Sequence, residues 1–112
     1  MWILRTTGNS TPEQTFRVLI NDVRTIGRAI GADFVLDDPL VSRTHCRITE
    51  LPNGELEVQD LNSTNGTFVN GTRIQNARLT SGDSLKIGRL ELVALKDDSQ
   101  LVTRTDRSLQ KS

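Results

Sequence analysis

The 112-residue chain sets fourteen lysines and arginines against fourteen aspartates and glutamates, and 35% of it is hydrophobic. A single domain of that length buries a core without disulfide or metal support. Zero formal charge argues against a general nucleic-acid binder, which relies on excess basic charge, and the sole cysteine, Cys46, excludes an internal disulfide or a multi-cysteine metal site.

The chain opens on MWIL, an apolar run that stops at Arg5 and is too short for the hydrophobic region of a signal sequence. No window reaches membrane-spanning length. A cytoplasmic location is expected, or a nuclear one in a eukaryotic host, with no membrane contact. Next, FRVLI at 16–20 sets Phe16, Val18 and Ile20 on one strand face, by the two-residue alternation of a half-buried strand. CRITEL at 46–51 turns Cys46 and Ile48 away from Arg47 and Thr49, which makes Cys46 a small core residue. ELEVQD at 55–60 alternates Leu56 and Val58 with Glu57 and Gln59. Later, SLKIG at 84–88 and RLELVAL at 89–95 repeat the pattern.

Asn-Gly recurs at 53–54, 65–66 and 70–71. It is the strongest short hairpin signal, because both residues tolerate positive φ. The first joins 46–51 to 55–60, and the third joins 67–69 to 72–74. Gly82-Asp83 marks a reversal before the last two strands. No dozen residues show helical periodicity with caps. Short strands at regular spacing predict an all-β antiparallel sandwich or barrel. Residues 1–97 form this unit. The polar stretch 98–112 loses the alternation and reads as a flexible tail, or at most one short helix.

Sandwiches keep their chemistry in loops at one end. Three loops here are rich in anion-binding groups: GRAIGAD (27–33), DDPLVSRTH (37–45) and DLNSTNG (60–66). Arg28 offers a planar fork of donors that suits two phosphate oxygens. Ser42 and Thr64 add hydroxyls, and exposed loop amides add N–H groups. A phosphorylated side chain, with about −1.5 to −2 charges and three acceptor oxygens, matches that inventory without a metal. Ser42 and the only histidine, His45, also invite an enzymatic reading as nucleophile and base. Against it, no G-x-S-x-G elbow is present, no spacing specifies an orienting carboxylate, and no P-loop occurs. No catalytic residue, metal or cofactor is therefore expected.

The ordered set GR at 27–28, SRTH at 42–45 and STNGTFVNG at 63–71 resembles a forkhead-associated (FHA) domain over residues 2–95. The resemblance implies an eleven-stranded antiparallel β-sandwich that binds phosphothreonine peptides through loops at one end. It implies that Arg28 and Ser42 are the principal phosphate contacts and Arg43 a variable second contact. Thr64 would shape the phosphate and methyl pocket, and Asn65 would hold the peptide backbone. Gly27, His45, Gly66 and Asn70 match structural positions, with His45 a buried loop anchor. Arg47 and Arg73 read as outward charges that could extend a basic rim. The implied partner is a phosphothreonine protein in signal transduction, either a Ser/Thr-kinase substrate or the kinase itself. The alternative is an FHA-like interaction domain that binds through a sandwich face independently of phosphate. Asp106, three residues after Thr103, further suggests weak self-association through a phosphorylated Thr103.

Overall fold

A computed structural model describes residues 1–7 and 13–97; the tail at 98–112, with Thr103, lies outside the described residues. Eleven strands follow in order: β1 (Trp2–Thr6), β2 (Thr15–Val18), β3 (Val23–Gly27), β4 (Phe34–Val35), β5 (Cys46–Glu50), β6 (Leu56–Asp60), β7 (Thr67–Val69), β8 (Thr72–Ile74), β9 (Asn76–Leu79), β10 (Ser84–Ile87) and β11 (Leu90–Lys96). One sheet has the order β2-β1-β11-β10-β7-β8, and the other β4-β3-β5-β6-β9. No helix occurs among the described residues.

Alternation drives the layering. Leu4, Val18, Leu85, Ile87, Leu92 and Ala94 point inward from the larger sheet, and Ile26, Cys46, Ile48, Leu56, Val58 and Leu79 from the smaller one. Hydrophobic burial between the two faces is the main stabilising term. Phe16 of β2 stacks on Phe34 of β4 at 4.6 Å between ring centroids, which ties together the edges of the two sheets.

Three local expectations are corrected. The strand expected over 16–20 stops at Val18, and Ile20 is exposed in a turn instead of sharing the face of Phe16 and Val18. There the Asp22 carboxylate accepts the Leu19 N–H at 2.9 Å and Asn21 takes φ 66°, which reverses the chain two residues early. Among the Asn-Gly pairs, only Asn70-Gly71 has both residues at positive φ. At 53–54 and 65–66 the glycine alone is left-handed, because these turns are built from more than two residues. The antiparallel plan also has an exception, since β4 runs parallel to β3. The Asp33 carboxylate accepts the Thr25 N–H at 2.9 Å and the Thr25 hydroxyl at 3.2 Å. Those bonds fold loop 28–33 back along β3, so that Phe34 re-enters beside Ile26.

Register gathers the loops. Ile26 of β3 pairs with Cys46 at the start of β5, and Cys46 pairs with Asp60 at the end of β6. Loops 28–33, 36–45 and 61–66 therefore leave three adjacent strands at the same end.

Candidate functional site

Loop 36–45 is held against β3 by backbone bonds. The amides of Arg28 and Ala29 donate to the carbonyls of Ser42 and Arg43 at 2.9 and 3.2 Å, and the His45 amide donates to Ile26 at 2.8 Å. That approach leaves no room for a side chain at Gly27, where a Cβ would lie 2.0 Å from the Arg43 carbonyl oxygen. Gly27 is thus required by proximity and not by its backbone angle.

Arg28 is exposed, and its Nε–H donates to the Val41 carbonyl at 3.0 Å. One edge of the guanidinium is spent on anchoring, and the terminal nitrogens remain for a ligand. Ser42 is arranged in the same way. Its Oγ accepts the Thr64 N–H at 3.0 Å, so the hydroxyl hydrogen stays free to donate. This bond links loops 36–45 and 61–66. A second link runs from the Asn65 Nδ2 to the Leu40 carbonyl at 2.9 Å, which leaves the Asn65 Oδ1 and one N–H for other partners. Arg43 and the Thr64 side chain are exposed beside this junction.

His45 is fully buried. Its Nδ1 accepts the Ser42 N–H at 3.0 Å, so the proton sits on Nε2, which donates to the Gly66 carbonyl at 2.9 Å. Both ring nitrogens are committed to backbone groups on two loops, and neither is bonded to the Ser42 hydroxyl. The imidazole is a strut. Gly66, at φ 91°, completes the turn that presents its carbonyl to that strut. Asn70 sits apart from this junction: its side chain donates to Asp83 at 3.1 Å and accepts the Ser84 N–H at 2.9 Å, which fastens the β7–β8 turn to the start of β10.

Two supporting groups escaped sequence reasoning. Asp60, buried at the end of β6, accepts the Ser63 amide at 3.2 Å, the Ser63 hydroxyl, and the Thr67 hydroxyl at 2.7 Å. Ser63 Oγ in turn accepts the Gly66 N–H at 2.9 Å. Burial alone would raise the Asp60 carboxyl, but the hydrogen bonds from Ser63 and Thr67, with His45 nearby, hold it below the ordinary carboxylate range. The Asp-x-x-Ser spacing, in which the carboxylate caps the amide three residues on, is the sequence signal for this hub. The second group is Asp38, 4% exposed, which meets Arg89 in the β10–β11 turn of the opposite sheet. Burial again pushes this carboxyl up, and the hydrogen bonds and charge of Arg89, with the Leu40 amide, outweigh it and lower it. Nothing local in the sequence connects residues fifty-one positions apart.

Arg73 is exposed on β8 beside the loop of Gly66. Its Nε lies where a Cβ on Gly66 would come within 2.7 Å. Arg47 is exposed on β5, and Cys46 is buried with its thiol pushed up by desolvation. Among the described residues no group of three potential metal ligands is present, and no helix is long and apolar enough to cross a membrane.

Comparisons with known proteins agree with this arrangement. The family profile of the FHA domain matches residues 24–88. The glycogen accumulation regulator GarA of Mycolicibacterium smegmatis is 40% identical over 93 residues, which cover 79% of this chain and 58% of that protein. The ABC transporter ATP-binding/permease protein Rv1747 of Mycobacterium tuberculosis is 41% identical over 85 residues, 76% of this chain but 10% of the transporter. The chain thus spans only part of these relatives. The FhaA FHA domain, solved in complex with the intracellular domain of Rv3910, superposes with a TM-score of 0.75 at 32% identity, covering 84% of this chain and 99% of that one. The N-terminal FHA domain of S. cerevisiae Rad53p, solved with a phosphothreonine peptide, gives a TM-score of 0.76 at 26% identity, covering 90% and 98%. The sandwich, the looped end and the match over residues 24–88 lead to one conclusion: the chain belongs to the FHA domain family.

Proposed function

We propose that this chain is a phosphothreonine-peptide-binding module that mediates phosphorylation-dependent protein–protein interaction in signalling. The observation that carries the reading is the way Arg28 and Ser42 are held. Each spends one polar atom on a neighbouring loop, at 3.0 Å in both cases, and keeps donors for an anion. Such preorganisation lowers the ordering cost of binding. In this reading Arg28 and Ser42 grip the phosphate, and Arg43 adds a flanking cation. Thr64 borders the phosphate and the threonine methyl, while Asn65 engages the peptide backbone beside it. Gly27, His45 and Gly66 hold these loops, and Asn70 holds the β7–β8 turn beyond them.

Recognition requires no bond breaking, and the commitments of His45 leave Ser42 without a base, so the chain acts as a binding module and not an enzyme. The partner is a protein phosphorylated on threonine by a Ser/Thr kinase, or such a kinase itself. Support comes from the phosphothreonine peptide bound to the Rad53p domain and from the regulatory name of the GarA relative. Charge-assisted hydrogen bonds contribute about 1.5–3 kcal/mol each, so three or four come near the roughly 8 kcal/mol of a micromolar complex after ordering costs.

Matched phosphorylated and unphosphorylated threonine peptides, titrated calorimetrically side by side, test the proposal. Only the phosphorylated form should bind. Equal affinity for both would overturn it in favour of a phosphate-independent surface on the sandwich face.

A further inference from the structure

The β10–β11 turn belongs to the larger sheet, yet it is bolted to a loop of the smaller one. Arg89 donates its amide to Asp38 Oδ2 at 3.1 Å and its Nε–H to Asp38 Oδ1 at 2.8 Å, with an Nη2 contact at 2.8 Å to the same oxygen. Asp38 is nearly fully buried, whereas the Arg89 side chain is 66% exposed. Gly88, at φ 63°, packs so closely that a Cβ there would lie 2.6 Å from Asp38 Oδ2 and 2.8 Å from Val41 Cγ2. Within the loop, the Asp38 carbonyl accepts the Val41 amide at 2.9 Å. The Val41 carbonyl then accepts the Arg28 Nε–H at 3.0 Å.

These contacts form one chain from Arg89 through Asp38 and Val41 to Arg28. We infer that Asp38 and Arg89 are positioning residues for phosphate recognition, an inter-sheet latch that sets the guanidinium of Arg28 through the Val41 carbonyl. The inference rests on the proposed role of Arg28 as a phosphate ligand. Physically, the Val41 carbonyl aims the Arg28 fork only while residues 38–41 keep one conformation. That segment forms no strand; Asn65 holds its Leu40 carbonyl from loop 61–66, and the opposite sheet adds the constraint at Asp38.

The substitution Arg89→Ala is the first test; it removes an exposed side chain but leaves the buried Asp38 carboxylate without its cation, so stability is followed beside binding. Arg89→Lys keeps the charge but loses the fork that spans the carboxylate, and Asp38→Asn removes the charge from the other side. For each variant of the full chain, three quantities are compared with wild type. They are the affinity for a singly phosphorylated threonine peptide, the NMR resonance and exchange rate of the Arg28 Nε–H, and the thermal unfolding midpoint. All three variants are expected to lose affinity roughly ten-fold, within the range for residues that act through a packed network. The Arg28 Nε–H should shift and exchange faster in each. Lost affinity with an unchanged Arg28 signal would mean that Arg89 is only a rim charge, and the inference fails. Retained affinity and an unchanged signal in a folded variant also refute it. If Arg89→Ala unfolds, the milder Arg89→Lys decides by the same two readouts. Should wild type bind no phosphopeptide, the phosphate reading falls, while the Arg28 resonance still reports whether the latch sets that side chain.

Discussion

At Gly27 a hydrogen atom stands where any other residue would drive a methyl group into the Arg43 carbonyl, at 2.0 Å. Because the obstacle is backbone on a loop pinned by several hydrogen bonds, it cannot rotate away. Gly27→Ala should destabilise the fold by about 2 kcal/mol, the usual scale of overpacking, and weaken peptide binding by shifting Ser42; chemical denaturation and titration would measure both. His45 makes the complementary point. Removing its ring strands the Ser42 N–H and the Gly66 carbonyl in a buried place. His45→Ala should therefore cost about 3 kcal/mol in unfolding free energy, from lost packing and two unpaired polar groups. Arg28 behaves differently because it is exposed. Arg28→Ala should abolish phosphopeptide binding with the unfolding midpoint almost unchanged, and wild-type affinity in that variant would remove Arg28 from the site.

Among elements, the turn between β6 and β7 shows how a buried carboxylate stiffens a loop of the proposed site. Asp60 gathers Ser63 and Thr67, and Ser63 passes the constraint to Gly66. Since the folded-state carboxyl lies below its ordinary range, the unfolded chain binds a proton first as acid is added. Stability from this hub is complete above the ordinary carboxylate value, about 3.9, and is lost as pH falls through the lowered folded value. The melting temperature should stay level from neutral pH to about 5 and then drop toward pH 2. Asp60→Asn should melt lower at neutral pH and lose less on acidification; an acid limb as steep as wild type would rule out Asp60 as a contributor. Asp33, Asp38 and Asp83 are lowered as well and add with the same sign. The hub leaves a local signal, the Asp-x-x-Ser spacing, that sequence reasoning passed over, whereas the Asp38–Arg89 latch leaves none, because its halves come from different sheets.

For the molecule as a whole, the proposed site occupies one end of the sandwich and Trp2 fastens the other. Trp2 lies at the end away from the ligand loops, 2% exposed, and its indole N–H donates to the Gly54 carbonyl at 2.9 Å. Trp2→Phe should cost about 2 kcal/mol through the lost bond and reduced packing. Phosphopeptide affinity should stay at the wild-type value, since no loop of the site rests on that corner. An affinity change in this variant would show that the ends are coupled.

The amino-acid sequence by itself determined the alternating strands, the Asn70-Gly71 hairpin and the ordered Gly-Arg, Ser-Arg-x-His and Ser-Thr-Asn-Gly segments. All of these are local: period-two burial, turn stereochemistry and donor chemistry act within a few residues. It could not decide that β4 runs parallel to β3, that the strand from Phe16 ends at Val18, or that Asn65-Gly66 forms no two-residue turn. Each depends on a hydrogen bond from a side chain or a neighbouring strand that overrides local preference. Only the tertiary structure decided that the pairings Ile26–Cys46 and Cys46–Asp60 place three loops at one end. It alone brought Arg89 across from the opposite sheet to Asp38. Register and inter-sheet contact link residues far apart in the chain, and no short-range pattern encodes which of them will meet.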